Sequence, residues 1–191
     1  MQDIPVEFYP DYLPGPLSDA LLEALNSKLN WTQESLHMYG KSIPFPRLMA
    51  WYGDPGTAYR FSGKTYHPQE PIPELKALMD LLQSDFGKPF NAVLANSYRN
   101  GSDSMSWHSD DEPELGPRPF IASISLGASR TFRMRHKSEK TSQGWVLNHG
   151  SLLIMKDHSQ QDWDHCIPKT KKPVDLRINL TFRFIFPASQ P

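Results

Sequence analysis

The stretch R-I-N-L-T-F-R, residues Arg177 to Arg183, alternates polar and apolar side chains without a break. Successive side chains of a β-strand point to opposite faces, so this period of two predicts a strand with one apolar face and one polar face. The apolar face would pack on a hydrophobic core. The polar face would consist of Arg177, Asn179, Thr181 and Arg183.

The polar face of this strand has two interpretations. In an edge strand it would meet solvent, which is the ordinary arrangement for a half-buried strand. Alternatively, the guanidinium groups of Arg177 and Arg183 line a pocket, because arginine is suited to bind carboxylates through two parallel hydrogen bonds. A dicarboxylic co-substrate would use such a pair. The strand alone leaves both interpretations open.

Further strand patterns precede this stretch, and turn signals separate them. The turn signals are Asn100-Gly101, Gly127, Asn148–Gly150 and Lys171–Asp175. The predicted strands are Ala92–Tyr98, Ile121–Leu126, Thr131–Arg135, Trp145–Leu147, Leu152–Met155, His165–Pro168 and, around the opening stretch, Arg177–Phe186.

Two helices are predicted in the first half of the chain. Leu17–Leu29 places leucines on one face, with Ser18 as its cap. Pro73–Phe86 begins with a proline suited to a first turn and ends at Gly87. Between the helices, Met38–Pro68 is rich in glycine, proline and tyrosine, which predicts loops and short hairpins. Many short strands after two helices predict an α+β fold with a jelly-roll (double-stranded β-helix) core and the helices on one outer face.

Composition narrows the class of protein. The chain has 191 residues, 38% of them hydrophobic, which suits a single domain with a substantial core. A formal net charge of −1 gives no overall basic signal for nucleic acid, so any such surface must be a local patch. The single cysteine, Cys166, rules out an internal disulfide framework and fits a reducing compartment. No stretch approaches the roughly 18 apolar residues of a membrane span. We therefore expect no membrane partner and an intracellular protein, cytoplasmic in a bacterium or nuclear in a eukaryote.

A candidate metal site begins at W-H-S-D, residues 107–110. In extended backbone His108 and Asp110 point to the same side, so an imidazole and a carboxylate can meet at one point. His165, in a predicted strand, is the third ligand that we expect. Two histidines and one carboxylate leave coordination positions open, which suits non-heme Fe(II) oxygenases. Alone, H-x-D is commonly just a polar loop. Three further histidines could supply the third ligand but are interpreted as solvent-facing or structural: His136, His149 and His158.

Two other patterns carry polar groups to strands. Asn96 and Tyr98 share a face of a predicted strand just before H-x-D, either as donors to a pocket or as ordinary half-buried residues. Basic residues cluster in two places and could form a rim for a nucleic-acid backbone, or simply solvated faces. These clusters are Arg130, Arg133, Arg135 and Lys137, and Lys169, Lys171 and Lys172.

Taken together, these motifs resemble the AlkB family of alkylation-repair dioxygenases, in the branch that prefers double-stranded DNA. The resemblance covers roughly residues 36 to 186. It is carried by N-S-Y (96–98), W-H-S-D-D-E (107–112), I-A-S-I-S-L-G-A-S-R-T-F-R-M-R (121–135), H-G-S-L-L-I-M (149–155), W-D-H (163–165) and R-I-N-L-T-F-R (177–183).

The resemblance implies three cofactors or co-substrates: Fe(II), 2-oxoglutarate and O2. It implies that His108, Asp110 and His165 are the catalytic metal ligands. It implies that Arg177 pairs with the distal carboxylate of 2-oxoglutarate and that Arg183 lies near the chelating one. The other residues that it implies for the co-substrate are Asn96, Tyr98 and Thr181.

The resemblance also implies how a substrate base would be held. Tyr39, in the hairpin Met38–Lys41, stands where a wedge aromatic would fill the gap left by a flipped base. Tyr59 and Phe61 would belong to a nucleotide-recognition lid, with Phe61 stacked on the base, and Asp111 would contact the base. The alternative is that these aromatic residues form the core of small hairpins. According to the resemblance, residues 1–90 would carry the helices and the lid, and residues 91–188 would form the jelly-roll core. Together they would make one structural domain.

The activity implied is oxidative demethylation of bases such as 1-methyladenine and 3-methylcytosine, that is, DNA alkylation repair by a monomer acting on methylated DNA. Alternatives are an Fe(II)/2-oxoglutarate enzyme acting on RNA or protein, a non-catalytic binding module on a jelly-roll scaffold, and a zinc hydrolase. A zinc hydrolase would leave the paired arginines without a purpose, and three intact ligands argue against a binding module.

Overall fold

The fold is built from two antiparallel sheets that face each other. A computed structural model of the protein describes residues 4–38, 40–61 and 64–186, without the side chains of residues 37, 38, 59–61 and 64. Strands and helices are numbered along the chain. This arrangement of two sheets confirms the predicted sandwich of short strands.

The larger sheet has six strands, all paired antiparallel. The opening stretch of sequence, Arg177–Arg183, is one of its inner strands, and all seven of its residues are buried. In spatial order the strands are β1 (Val6–Tyr9), β12 (Ser151–Met155), β9 (Ile121–Gly127), β14 (Arg177–Arg183), β7 (Ala92–Tyr98) and β4 (Leu48–Gly53). The interpretation of Arg177–Arg183 as a solvent-facing edge strand is therefore wrong.

The smaller sheet has four antiparallel strands. In spatial order they are β11 (Ser142–Leu147), β10 (Arg130–His136), β13 (Trp163–Ile167) and β8 (Met105–His108). One cluster of buried apolar residues joins the facing surfaces of the two sheets; it includes Ile121, Leu153 and Met155 from the larger sheet and Phe132, Met134 and Trp163 from the smaller one.

The helices cover the outer face of the larger sheet, as predicted. They are α1 (Gly15–Lys28) and α2 (Pro73–Phe86), and a one-turn helix, α3 (Ser159–Asp162), precedes β13. The α2 range matches the prediction, and Gly87 ends that helix in the left-handed conformation with φ 62°. The predicted Ser18 cap is wrong, because α1 begins at Gly15 and Ser18 lies buried inside the helix. Among the described residues no helix is long and apolar enough to cross a membrane.

Two short hairpins extend from the first half of the chain. One pairs β2 (Ser35–Met38) with β3 (Lys41–Pro44), and the other pairs β5 (Tyr59–Phe61) with β6 (Lys64–Tyr66). Each is a separate two-stranded sheet. Hairpins were predicted in this region, but β4 between them was not, and neither was β1. Because β1 and β4 are the two edges of the larger sheet, the described part of residues 1–90 pairs directly with the predicted core.

Candidate active site

Three side chains converge between the sheets, at the end of β8. His108 and His165 are directly opposite each other across the β8–β13 pairing, and their ring centroids lie 4.2 Å apart. Asp110 follows β8 by two residues, and its carboxylate and the two imidazoles offer ligand atoms that all lie within 4.8 Å of one another. Among the described residues this is the one group of histidine, cysteine or carboxylate side chains compact enough to hold a metal ion.

The orientation of His108 is fixed by its own strand. Its Nδ1 lies 2.8 Å from the backbone oxygen of Ser106, and since a carbonyl only accepts, Nδ1 carries the proton. The lone pair of the ring is then on Nε2, which lies 3.6 Å from Oδ1 of Asp110. A backbone hydrogen bond of this kind is a common way of presenting a histidine to a metal.

Asp110 is ionised although it is buried. Its exposed fraction is 3%. Burial opposes ionisation, but the Arg183 guanidinium outweighs it and holds the pKa of Asp110 well below its ordinary value. Arg183 donates from Nη2 to Oδ2 at 2.5 Å. The carboxylate is therefore a charged ligand at any ordinary pH, with one oxygen engaged and Oδ1 directed to the histidines.

His165, in the same cluster, is neutral. Burial, followed by the proximity of His108, lowers the pKa of His165 to about 3. Its Nδ1 is buried and has no hydrogen-bond partner among the described residues. A neutral imidazole with a buried, unpartnered nitrogen beside an ionised carboxylate fits a divalent metal, because ligation needs deprotonated donors.

The three residues line a cavity between the two sheets. Its walls differ in chemistry: apart from Leu94 and Met155 the larger sheet supplies polar side chains, and apart from the two histidines the smaller sheet supplies mostly apolar ones. The polar wall consists of Asn96, Tyr98, Ser123, Arg177, Asn179, Thr181 and Arg183, and the apolar wall includes Met105, Phe132, Leu147 and Ile167.

Arg177 lies in the polar wall and is almost completely buried, with an exposed fraction of 1%. Its Nη2 donates to Oγ of Ser125 at 2.9 Å, whereas Nε and Nη1 are buried without a partner among the described residues. The guanidinium lies 5.1 Å from the ring centroid of Tyr98. Burial lowers the pKa of Arg177 to about 10, so the group stays cationic at neutral pH. This buried cation therefore lacks an anionic acceptor for two of its nitrogens, and a carboxylate would supply one.

The neutral polar residues of this wall are oriented by hydrogen bonds. Asn179 donates to Oγ of Ser123 at 2.8 Å and accepts from Thr181 at 3.1 Å. Asn96 accepts at Oδ1 from Nε of Arg47 at 2.8 Å, so its amide nitrogen is available to the cavity. The structure therefore brings together all five residues predicted for the co-substrate in the wall of a single cavity.

The three histidines considered as alternative third ligands lie elsewhere in the fold. Nδ1 of His149 accepts from the backbone of Gly127 at 2.8 Å, and Nδ1 of His136 accepts from the backbone of Glu139 at 3.0 Å. His158 is the residue just before α3. Their interpretation as structural or solvent-facing residues agrees with these positions.

The predicted base-contacting residues are less completely described. Tyr39 lies outside the described residues. Tyr59 and Phe61 are in β5, where the backbone pairs with β6, and their side chains are not described. Asp111 is exposed next to Asp110 and accepts from Oγ of Ser109 at 3.3 Å.

Only some residues of the two basic clusters are exposed at the surface. Arg130 is buried and donates to three backbone carbonyls, those of Asn100, Asp103 and Pro168, so its assignment to a basic rim is wrong. Arg133, Lys169 and Lys172 are exposed and line one surface groove, together with Thr131 and Thr170. No carboxylate lines this groove among the described residues, so it is locally cationic.

Two buried residues near the site were missed by sequence reasoning. Arg47 orients Asn96 and is 2% exposed. Gln160 is 1% exposed and hydrogen-bonds to the backbone of Asp110. Nothing in the local sequence marks either residue, since both act through partners that are distant along the chain.

Comparison with known proteins agrees with this geometry. The family described as the 2OG-Fe(II) oxygenase superfamily matches residues 5–183. The chain therefore belongs to the 2OG-Fe(II) oxygenase superfamily, whose members use Fe(II), 2-oxoglutarate and O2.

Individual relatives narrow the family. The chain is 40% identical over 189 residues to the alpha-ketoglutarate-dependent dioxygenase alkB homolog 3 of Rattus norvegicus, covering 94% of this chain and 63% of that protein. It is 38% identical over 179 residues to the DNA oxidative demethylase ALKBH2 of Homo sapiens, covering 88% of this chain and 69% of that protein. Within the superfamily the chain belongs to the AlkB family. It spans 63% to 65% of the length of the homolog 3 proteins.

A solved structure described as "The structure of OsALKBH1" has a similar fold, with a TM-score of 0.65. It covers 96% of this chain and 99% of its own, at 22% sequence identity. This likeness supports the jelly-roll fold alone.

Proposed function

We propose that the protein is an Fe(II)- and 2-oxoglutarate-dependent dioxygenase that demethylates N-alkylated nucleic-acid bases and so repairs alkylated DNA. One observation carries the proposal. A compact His-Asp-His cluster and a buried arginine with unpartnered nitrogens line the same cavity. The names of the relatives, a DNA oxidative demethylase among them, support nucleic acid as the substrate.

In this proposal the metal is held by Nε2 of His108, Oδ1 of Asp110 and a nitrogen of His165. When bound, iron with 2-oxoglutarate and O2 supplies the oxidation that hydroxylates an N-methyl group, which then leaves as formaldehyde. Arg183 keeps Asp110 ionised and engages its other oxygen, so the carboxylate offers a single oxygen to the metal. The remaining coordination positions are left open to small molecules.

Arg177 would bind the distal carboxylate of 2-oxoglutarate. Each of its two unpartnered nitrogens carries an N–H that can donate to a carboxylate, and Tyr98 lies against the same guanidinium. Asn96 and Thr181 would contact the co-substrate from the same wall. The facing apolar wall, with Phe132 against His165 at a centroid distance of 5.4 Å, would exclude water from the reacting atoms.

The substrate base would be held by residues of the two hairpins. Phe61 would stack on the flipped base and Tyr59 would flank it, while Tyr39 would fill the gap left in the duplex. Asp111, exposed beside the metal ligands, would contact the base edge. Stacking is worth about 1–3 kcal/mol per base and would offset the cost of flipping, which is of similar size.

The nucleic-acid backbone would cross the groove lined by Arg133, Lys169 and Lys172. Cations without neighbouring carboxylates attract phosphates and release condensed counterions. In this proposal residues 1–90 carry the recognition lid on the jelly-roll core of residues 91–188, and the protein acts as an intracellular monomer on methylated DNA.

A substrate panel tests the function. The purified protein is supplied with Fe(II), ascorbate and 2-oxoglutarate, and formaldehyde and succinate are measured with methylated single-stranded DNA, double-stranded DNA, RNA and methylated peptides. We expect release above the uncoupled rate with DNA carrying 1-methyladenine or 3-methylcytosine. Release with methylated RNA alone would correct the substrate class, and release with peptides alone would contradict the proposal.

A further inference from the structure

Gln160 is a buried polar residue between the segments that carry the proposed metal ligands. It lies in α3, which leads directly into β13 and His165. Its exposed fraction is 1%. A buried amide costs free energy unless each of its polar atoms finds a partner, so the contacts of Gln160 indicate what it does.

The side-chain carbonyl of Gln160 accepts a hydrogen bond from the backbone N–H of Asp110 at 2.9 Å. Asp110 lies two residues beyond the end of β8, where the strand ladder no longer runs. Its N–H is therefore satisfied by a side chain from a segment 50 residues away in sequence. A change at position 160 would leave this buried N–H without a partner.

The orientation of the Gln160 amide follows from its partners. The Asp110 N–H can only donate, so the atom facing it is the oxygen. The amide nitrogen donates to Oγ of Ser159 at 3.1 Å and lies 3.4 Å from the sulfur of Met155. Both ends of the amide are engaged, which holds the side chain in one rotamer.

The turn that carries Gln160 is itself anchored on both sides. Nζ of Lys137 donates to the backbone oxygen of Gln160 at 2.9 Å, and the backbone N–H of Lys137 donates to Asp162 at 2.8 Å. On the other side, Gln161 donates to the backbone oxygen of Pro117 at 2.8 Å. The helix α3 therefore ties the end of β10 to the loop that follows Asp110.

We propose that Gln160 is a positioning residue for the metal centre, which fixes the backbone of Asp110 while Arg183 fixes its carboxylate. Two points of attachment, one on the main chain and one on Oδ2, define where Oδ1 lies relative to His108. The inference rests on the proposed function, because it assumes that Asp110 binds a metal. Groups that orient metal ligands typically change metal affinity or activity by about 10- to 100-fold when they are removed.

The test is metal affinity in the absence of turnover. Mn(II) is titrated calorimetrically into metal-free wild type, Gln160→Met, Gln160→Glu and Gln143→Ala. Gln160→Met keeps the length and removes the acceptor, and we expect its affinity to fall by about tenfold or more. Gln160→Glu keeps an oxygen at the same reach, so it should bind Mn(II) more tightly than Gln160→Met does. Gln143→Ala, which removes an exposed amide of β11 outside the cavity, should equal wild type.

A second readout separates positioning from general damage. In the proposed function the KM for 2-oxoglutarate depends on Arg177, which lies at the opposite end of β14 from Arg183. This KM should therefore change little in Gln160→Met once the metal is saturating. If Gln160→Met is unfolded by circular dichroism, Gln160→Asn replaces it, since its shorter side chain cannot reach the Asp110 N–H, and the same loss is expected.

The possible failures are distinguishable. Wild-type affinity in Gln160→Met, or equal losses in the Met and Glu variants, would overturn the role of Gln160 and leave the function intact. If wild type binds no Mn(II), or if His165→Ala binds it as tightly as wild type does, both the proposed function and the role of Gln160 are contradicted.

Discussion

The metal end of the cavity and the two hairpins are built in contrasting ways. The cavity lies between two facing sheets, and the inner strand β14, which carries its arginines, is buried along its whole length. The hairpins are separate two-stranded sheets, and all four residues of β3 are exposed. Two-stranded sheets are marginally stable alone, whereas side chains on inner strands are held by packing on both sides.

This difference suggests a division of work. Groups that must stay in place for oxidation are on the sandwich, and groups that meet the substrate are on elements that can change with little effect on the core. The comparison yields separable effects: changes in the cavity should alter metal or 2-oxoglutarate binding, and changes in the hairpins or groove should alter nucleic-acid handling only.

The largest effect is expected for His165→Ala. Because a ligand is lost, Mn(II) binding and 2-oxoglutarate turnover should both fall to background, with or without a methylated oligonucleotide. Calorimetry and succinate release measure the two quantities. His136→Ala, which removes a histidine of the same sheet outside the cavity, should retain both metal binding and turnover. Normal turnover in His165→Ala would contradict the assignment of the cavity as the metal site.

Arg177→Ala should have the next largest effect. Hydrogen bonds to charged groups contribute about 1.5–3 kcal/mol, so the KM for 2-oxoglutarate should rise roughly 10- to 100-fold. Mn(II) affinity should stay unchanged, because Arg177 contacts no member of the His-Asp-His cluster. Arg133→Ala, on the outer face of β10, is the control, and an unchanged KM in Arg177→Ala would refute the carboxylate assignment.

A smaller and more selective effect is expected for Phe61→Ala. Loss of one stacking partner, worth about 1–3 kcal/mol, should lower kcat/KM for a methylated oligonucleotide by roughly 5- to 100-fold. Uncoupled turnover of 2-oxoglutarate, measured as succinate without nucleic acid, should persist. Tyr9→Ala, an exposed aromatic on β1, should leave both rates unchanged. Equal loss of both rates in Phe61→Ala would show that Phe61 supports the fold instead of the substrate.

The smallest effect is expected in the cationic groove. Lys172→Ala should weaken oligonucleotide binding a few-fold, and the slope of log K against log salt should become less negative by about one. Fluorescence anisotropy at several salt concentrations measures both. Lys76→Ala, an exposed lysine on α2, should leave the slope unchanged, and if Lys172→Ala does the same, the groove does not bind the backbone.

Sequence reasoning succeeded where a single short pattern contains the whole signal. The alternation in Arg177–Arg183 and the spacing of His108 and Asp110 are local, and they led to the strand and to two of the three clustered groups. The strand β4 was missed for a physical reason: five of its six residues are buried, on both faces of the strand, so its sequence shows no alternation.

Other failures came from partners that are far apart in the chain. Arg130 has the spacing of a surface cation but satisfies three carbonyls from two other segments of the chain. The predicted cap Ser18 lies within the helix, because Pro14 holds the position before the helix and Pro16 fits its first turn. Gln160 and Arg47 act on Asp110 and Asn96 across the fold, and no local pattern indicates such contacts.

The most direct measurement is a crystal structure of the protein grown without O2 in the presence of Mn(II) and 2-oxoglutarate. We expect one metal ion bound by a nitrogen of His108, Oδ1 of Asp110 and a nitrogen of His165, with the distal carboxylate of 2-oxoglutarate against Arg177. A metal bound elsewhere, or a 2-oxoglutarate that does not touch Arg177, would contradict the assignment of this cavity as the oxidation site.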